Sequence, residues 1–159
     1  MSFAQSPQAL HELLQGTWTV EGTNFPMWLD GKRILPTFTY QVTQTDPAVL
    51  ADDVAYSTPA GEIKHIFGTD RETSDGFVWR GKGLQKLISS RWTVSGHNPE
   101  GTILVLRFEK TLFTPAGIDV LVRDGYEVPE LRALVARNSP FFGLAPEDLA
   151  SLTWLYEKR

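Results

Sequence analysis

Gln15-Gly16-Thr17-Trp18-Thr19-Val20-Glu21-Gly22 is the stretch on which the reading of this chain turns. A glycine, one spacer and a tryptophan open a first strand directly after a short helical pattern. In a small barrel, a large aromatic at the start of strand one can plug the closed end while later strands wrap round it. The preceding residues agree. Ser6-Pro7 reads as an N-cap followed by proline at the first helical position, and Leu10, Leu13 and Leu14 share one helical face. Gly16 ends that helix, which is expected to lie across one end of the barrel.

Beyond Gly22 the chain reads as a run of hairpins. From Thr37 the period is two, with Phe38, Tyr40 and Val42 on one face. Asp46-Pro47 turns the chain, and Leu50, Val54 and Tyr56 continue the inward face. After the turn at Pro59-Ala60-Gly61, Ile63, His65 and Phe67 form one face, which predicts an inward histidine. Asp75-Gly76 is a hairpin signal, with Phe77 and Trp79 in phase after it. Leu84 to Val94 gives another strand or pair, with Ile88, Ser90, Trp92 and Val94 in phase. In the most apolar strand, Thr102 to Phe113, the inward choice is Leu104, Leu106 and Phe108. Ile118, Val120 and Val122 mark the next strand, about the eighth. Pro129 to Arg137 and the segment from Pro146 have helical character, and Thr153 to Tyr156 reads as a closing strand beside the first.

Composition narrows the function classes. At 159 residues, 42% hydrophobic and 21% charged, the chain is expected to form a single domain over 1–159. A net charge of −4 argues against a nucleic-acid partner, which calls for a basic face. The absence of cysteine excludes disulfides, thiolate metal sites and cysteine nucleophiles. The N-terminal residues lack the pattern of a secretory signal and no apolar run reaches a membrane span, so a cytoplasmic location is expected.

The Gly-x-Trp element, the helix before it and the succession of hairpins resemble the calycin superfamily, the lipocalins and fatty-acid-binding proteins. The resemblance implies an all-β fold, an antiparallel barrel of eight to ten strands with short helices at both chain ends. It also implies a small, largely apolar ligand inside. An arginine packed over Trp18 at the closed end would follow from the same likeness. A helix-grip sheet is the structural competitor, but it needs a long helix, and Asn138-Ser139-Pro140 and Gly143 interrupt the C-terminal helical stretch.

The inward phases collect Tyr40, Tyr56, His65, Trp79 and Trp92 as candidate ligand-binding residues. Aromatics with polar tips offer area for an apolar body and hydrogen bonds for a head group; the competing reading is a packed core. Arg107, interrupting the most apolar strand, is the first candidate to anchor an anionic head group, with Arg123 second. The alternative is an outward charge paired with Glu109 or Asp119. A one-residue slip decides between them. Trp28, with Met27, lies in an apolar loop before strand two and is a candidate lid. An enzyme acting without a metal is the second functional reading, with His65 as acid/base and Asp52 as its orienter. Whether the chain is an enzyme stays open at this stage. No metal site or cofactor is predicted. Haem is the cofactor that the resemblance brings into question, because nitrobindin-type calycins use a histidine late in the chain, whereas no histidine follows His97 here. A third reading is an interaction module, in which Phe141 and Phe142 make a homodimer contact or cover the barrel mouth.

Overall fold

The computed structural model describes residues 7–83 and 89–155. Helix α1 (Pro7–Leu14) leads into β1 (Gly16–Thr23), and a 3-10 turn (Pro26–Trp28) precedes β2 (Ile34–Thr45). Strands β3 (Ala48–Ser57), β4 (Ile63–Thr73), β5 (Gly76–Gly81), β6 (Ser89–His97), β7 (Ile103–Phe108) and β8 (Gly117–Arg123) follow. The chain then forms α2 (Leu131–Arg137), a 3-10 turn (Ser139–Phe142), α3 (Pro146–Ser151) and β9 (Thr153–Trp154). Every strand pairs antiparallel with its sequence neighbour from β2 to β8, and β1 joins both β8 and β2. This closes an eight-stranded barrel, and β9 adds a short ninth strand on β1 through Gly22↔Trp154. The predicted Ser6 cap, Leu84 to Ile88 and Tyr156 lie outside the described residues.

Closure at one end follows from the residues around Trp18. Its ring is fully buried, its Nε1 donates to the Leu14 carbonyl at 3.0 Å, and the Arg123 guanidinium stacks 4.2 Å from the ring centre. Arg123 also donates to the carbonyls of Leu13, Gln15 and Gly101. It thereby ties α1, β1 and the β6–β7 turn into one plug. Gly16 is required here twice over. Its φ is +114°, and a β-carbon would stand 2.8 Å from Arg123 Nη1. His11 is buried with Nε2 2.7 Å from Glu72 Oε2 on β4.

The barrel has a core on each side of one wall. Trp18, Val20, Phe38, Leu50, Trp92, Leu104, Leu106 and Leu121 fill the inside. Ile103, Val105, Ile118, Val120 and Val122 face outward and pack against Leu131, Val135, Phe142, Leu152 and Trp154 of the C-terminal segment. Each such side chain contributes roughly 1.5–3 kcal/mol on burial. The C-terminal helices thus clad β7 and β8. They do not cover the mouth, and Phe142 is buried in that contact while Phe141 stays exposed.

One expectation about strand phase is corrected here, and of the two positions left open for Arg107 the outward one is found. Ile63, His65 and Phe67 face outward, and Ile66, Gly68 and Asp70 face the interior. The β4–β5 register sets this, because Asp70 pairs with Trp79 and Gly68 with Gly81. Arg107 also points outward. Its Nη2 lies 2.6 Å from Asp148 Oδ2 and 2.7 Å from the Gly143 carbonyl, and its Nε donates to Ser95 Oγ. Its carboxylate partner is Asp148, in place of the expected Glu109 or Asp119. Asp148 is held below the usual carboxyl range chiefly by that guanidinium.

Candidate functional site

At the end away from α1 the packed interior gives way to a cavity of about 260 Å³. Its walls are mostly aromatic. Phe38, Tyr40, Trp79, Trp92 and Phe108 come from β2, β5, β6 and β7, and Phe25, Met27 and Trp28 come from the β1–β2 connection. Thr111, Phe113 and Thr114 of the β7–β8 loop complete the rim. Tyr40 stacks on Trp92 at 5.5 Å, and Trp92 stacks on Phe77 at 4.5 Å. Phe25 and Phe38 each set an edge against Phe108. Gly68 leaves room for Trp79: a β-carbon there would collide with the indole Nε1 and with the Arg80 carbonyl oxygen. Among the described residues the Trp79 N–H and the Tyr40 hydroxyl have no protein partner, so both are offered to an occupant.

The polar groups of this interior are acidic. Asp52 and Asp119 line the cavity, at 6% and 1% exposure, and Asp70 lies fully buried beside Asp52. Trp92 Nε1 donates to Asp70 Oδ1 at 2.9 Å, and the Thr23 hydroxyl donates to Asp119 Oδ1 at 2.6 Å. Asp52 Oδ1, Asp70 Oδ2 and Asp119 Oδ2 are buried without an N–H or alcohol donor. A buried carboxylate that is not paired is costly, so the neutral acid is favoured. Burial raises Asp119 to about 7 despite the Thr23 and Trp28 hydrogen bonds. Asp52 is raised well above the ordinary range by burial and then by Asp70, while burial takes Asp70 to about 6 against the Asp52 and Trp92 hydrogen bonds. The Asp52–Asp70 pair therefore titrates as a unit that retains a proton near neutrality. Burial, followed by these three carboxyls, pushes the Tyr40 phenol up.

Of the sequence-derived candidates, Trp28, Tyr40, Asp52, Trp79 and Trp92 meet at this cavity. Tyr56 stands beside it, 6.3 Å from Trp28 and under the Arg33 guanidinium. His65 and Arg107 are outside the barrel. His65 has 42% of its side chain exposed, bonds Asp53 Oδ1 at 2.8 Å and stacks on exposed Phe67. The expected Asp52–His65 couple is thus split by the strand: Asp53 takes the histidine and Asp52 faces Asp70. No histidine lines the cavity, so haem ligation by imidazole has no residue to supply it among the described residues. They also hold no group of three or more His, Asp or Glu side chains placed to bind a metal ion.

Asp70 and Asp119 are the residues that the sequence reading missed. The first was legible in part: a two-residue hairpin at Asp75-Gly76 with Phe77 and Trp79 inward puts Glu72 opposite Trp79 and Asp70 on the same face, and the observed loop at Ser74-Asp75 brings Asp70 itself opposite Trp79. For Asp119 the strand gives no alternation, because both faces of β8 are buried.

No family model matches the chain, and no curated protein matches it. Solved structures do. Lobster apocrustacyanin A1 superposes with a TM-score of 0.63 at 7% identity, over 90% of this chain and 77% of that one. The siderocalin Ex-FABP gives 0.57 at 17% identity, over 81% and 88%. The amine-binding protein of Rhodnius prolixus, solved as its tryptamine complex, gives 0.60 at 12% identity, over 91% and 79%. These likenesses establish a lipocalin-like fold.

Proposed function

We propose that this lipocalin-like barrel takes up one small, largely apolar molecule between Trp28, Phe38, Trp79 and Phe108. The observation that carries the proposal is the cavity itself. The barrel is packed from Trp18 to Leu106 and then leaves about 260 Å³ unfilled among aromatic rings that open to the rim. That volume is on the order of nine liquid water molecules, which suits a ring system better than a long acyl chain. A neighbour of the same fold solved with tryptamine supports an occupant of that size. The anionic head group expected from sequence has lost its anchor, since Arg107 points outward and no basic side chain among the described residues lines the cavity. The cysteine-free chain suits a reducing compartment, and a cytoplasmic location is part of the proposal. Among the described residues no helix is long and apolar enough to cross a membrane.

Titration with 2-naphthol, followed by quenching of tryptophan emission, tests this reading. Val54 lines the cavity, and Val54→Phe places a ring in it. Saturable one-to-one binding that weakens at least tenfold in Val54→Phe and persists in Val54→Ala is expected. Equal binding in all three proteins, or none in the native chain, contradicts it.

One observation favours a second reading as an enzyme. Buried carboxyls whose proton affinity is raised towards neutrality in an aromatic-lined cavity are suited to proton transfer. In that case the Asp52–Asp70 pair replaces His65 as acid/base. Asp52→Asn then abolishes turnover while 2-naphthol still binds.

A further inference from the structure

We infer that the cavity selects a protonated amine, an aromatic or alicyclic body carrying one ammonium group that is held by the inward carboxyls of Asp52 and Asp119. The inference rests on the proposed binding function and specifies its ligand. It starts from two unpartnered oxygens. Asp52 Oδ1 and Asp119 Oδ2 belong to side chains more than nine-tenths buried, both residues line the cavity, and neither oxygen receives a hydrogen bond from an N–H or alcohol donor, Asp52 being bonded to the Asp70 carboxyl instead. Burial without a donor is tolerated where a ligand supplies the donors. An ammonium has several donors, no acceptor and the opposite charge, and it is more compact than a guanidinium, which shares those properties.

Among the described residues the surroundings offer an anion no positive charge. Tyr40 on β2, Asp70 on β4, Trp79 on β5, Trp92 on β6 and Asp119 on β8 are the polar or titratable groups facing Asp52 across the barrel. Asp53, next to it in sequence, faces outward against His65. The inward-facing cation, Arg123, is engaged at the closed end over Trp18 and three carbonyls. Trp28, Trp79 and Tyr40 add aromatic rings to the same walls, and a cation close to such rings gains further stabilisation.

A cation arriving beside these carboxyls lowers their proton affinity, so binding releases protons wherever the empty cavity holds neutral acids. Asp119 at about 7 and Asp70 at about 6 place that exchange between pH 5 and 8. Amine affinity therefore rises with pH across this interval, while the ligand ammonium, with a lysine-like affinity for its proton, stays charged.

Calorimetric titration of the full chain with 2-phenylethylamine, 2-phenylethanol and 3-phenylpropionate tests the inference, because the three share a body and differ in the head. At pH 8 the amine should bind at least tenfold more tightly than the alcohol, and the propionate should bind more weakly than both. At pH 5 the amine preference should shrink towards unity. In buffers of different ionisation enthalpy the amine should release protons near pH 6.5. Asp52→Asn and Asp119→Asn, near-isosteric and checked for native near-ultraviolet circular dichroism, should each cut the ratio of amine to alcohol affinity at pH 8. An alcohol that binds as tightly as the amine at pH 8 overturns the inference and makes the carboxyls neutral hydrogen-bond donors. If 2-naphthol binds and the amine has no advantage, only the amine assignment fails. If neither binds, the binding function fails with it.

Discussion

Replacing Asp119 by asparagine should reverse its effect on stability as pH is raised. Burial lifts Asp119 from 3.8 to about 7. The folded chain therefore holds a proton that the unfolded chain gives up above pH 4. Stability from this group is fully present below 3.8, falls as pH rises and is lost above about 7. The interval spans roughly three tenfold steps at 1.36 kcal/mol each, about 4 kcal/mol at most. Asparagine keeps an acceptor for Thr23 but places an amide NH₂ where Oδ2 has no partner, at a cost of about 1–3 kcal/mol. Between pH 5 and 8 the variant should then gain about 3 kcal/mol relative to the native chain, passing from less stable to more stable. For a chain of this size that is a relative shift of about 6–12 °C in Tm. Urea and thermal unfolding of both proteins at half-unit pH steps measure it. Using the difference between the two cancels whatever is common to both proteins. Parallel stability curves from pH 5 to 8 would refute the account of a neutral, buried Asp119.

Two further substitutions probe the ends of the structure. Arg123→Ala removes the ring stack on Trp18 and the donors to Leu13, Gln15 and Gly101, and should cost about 3 kcal/mol by urea unfolding; Arg123→Lys should recover only part, because an ammonium lacks the planar fork, and a loss below 1 kcal/mol for alanine would contradict the plug at the closed end. Arg107→Ala breaks a pair whose guanidinium is 38% exposed, so about 1 kcal/mol is expected, with faster amide exchange confined to Pro146–Ser151 and unchanged 2-naphthol affinity; weakened binding would place Arg107 at the ligand after all.

What could be read from sequence depended on how many faces of each strand meet water or a single core. β2 has one buried face near Phe38 and Tyr40, so its alternation was plain, and Leu104, Leu106 and Phe108 were assigned to the correct side. Trp18 was recognised because glycine and tryptophan at that spacing have a structural use, which the Arg123 stack supplies. β4 defeats the same method. Ile63 and Phe67 are exposed apolar residues on its outer face, while Gly68 and Asp70 stand inside. Hydrophobicity alone points the wrong way there, and hairpin register is the stronger guide. β7 and β8 carry apolar residues on both faces because the C-terminal segment covers them from outside. Arg107 falls outward by the same alternation that turns Leu104, Leu106 and Phe108 inward, whereas the inward Asp119, on a strand buried on both faces, had no pattern to betray it. The acidic character of the cavity arises from pairings across three strands, which no local window contains.

The chain carries five tryptophans, and they allow the central claim to be tested directly. Trp28, Trp79 and Trp92 line the cavity. Trp18 plugs the closed end, and Trp154 lies in the outer core. In a proton–nitrogen correlation spectrum of the indole groups, titration with 2-phenylethylamine at pH 8 should move the signals of Trp28, Trp79 and Trp92 in a saturable way. Trp18 and Trp154 should stay in place. Shifts confined to Trp154, or no shift in any indole at saturating amine, would contradict an occupied barrel.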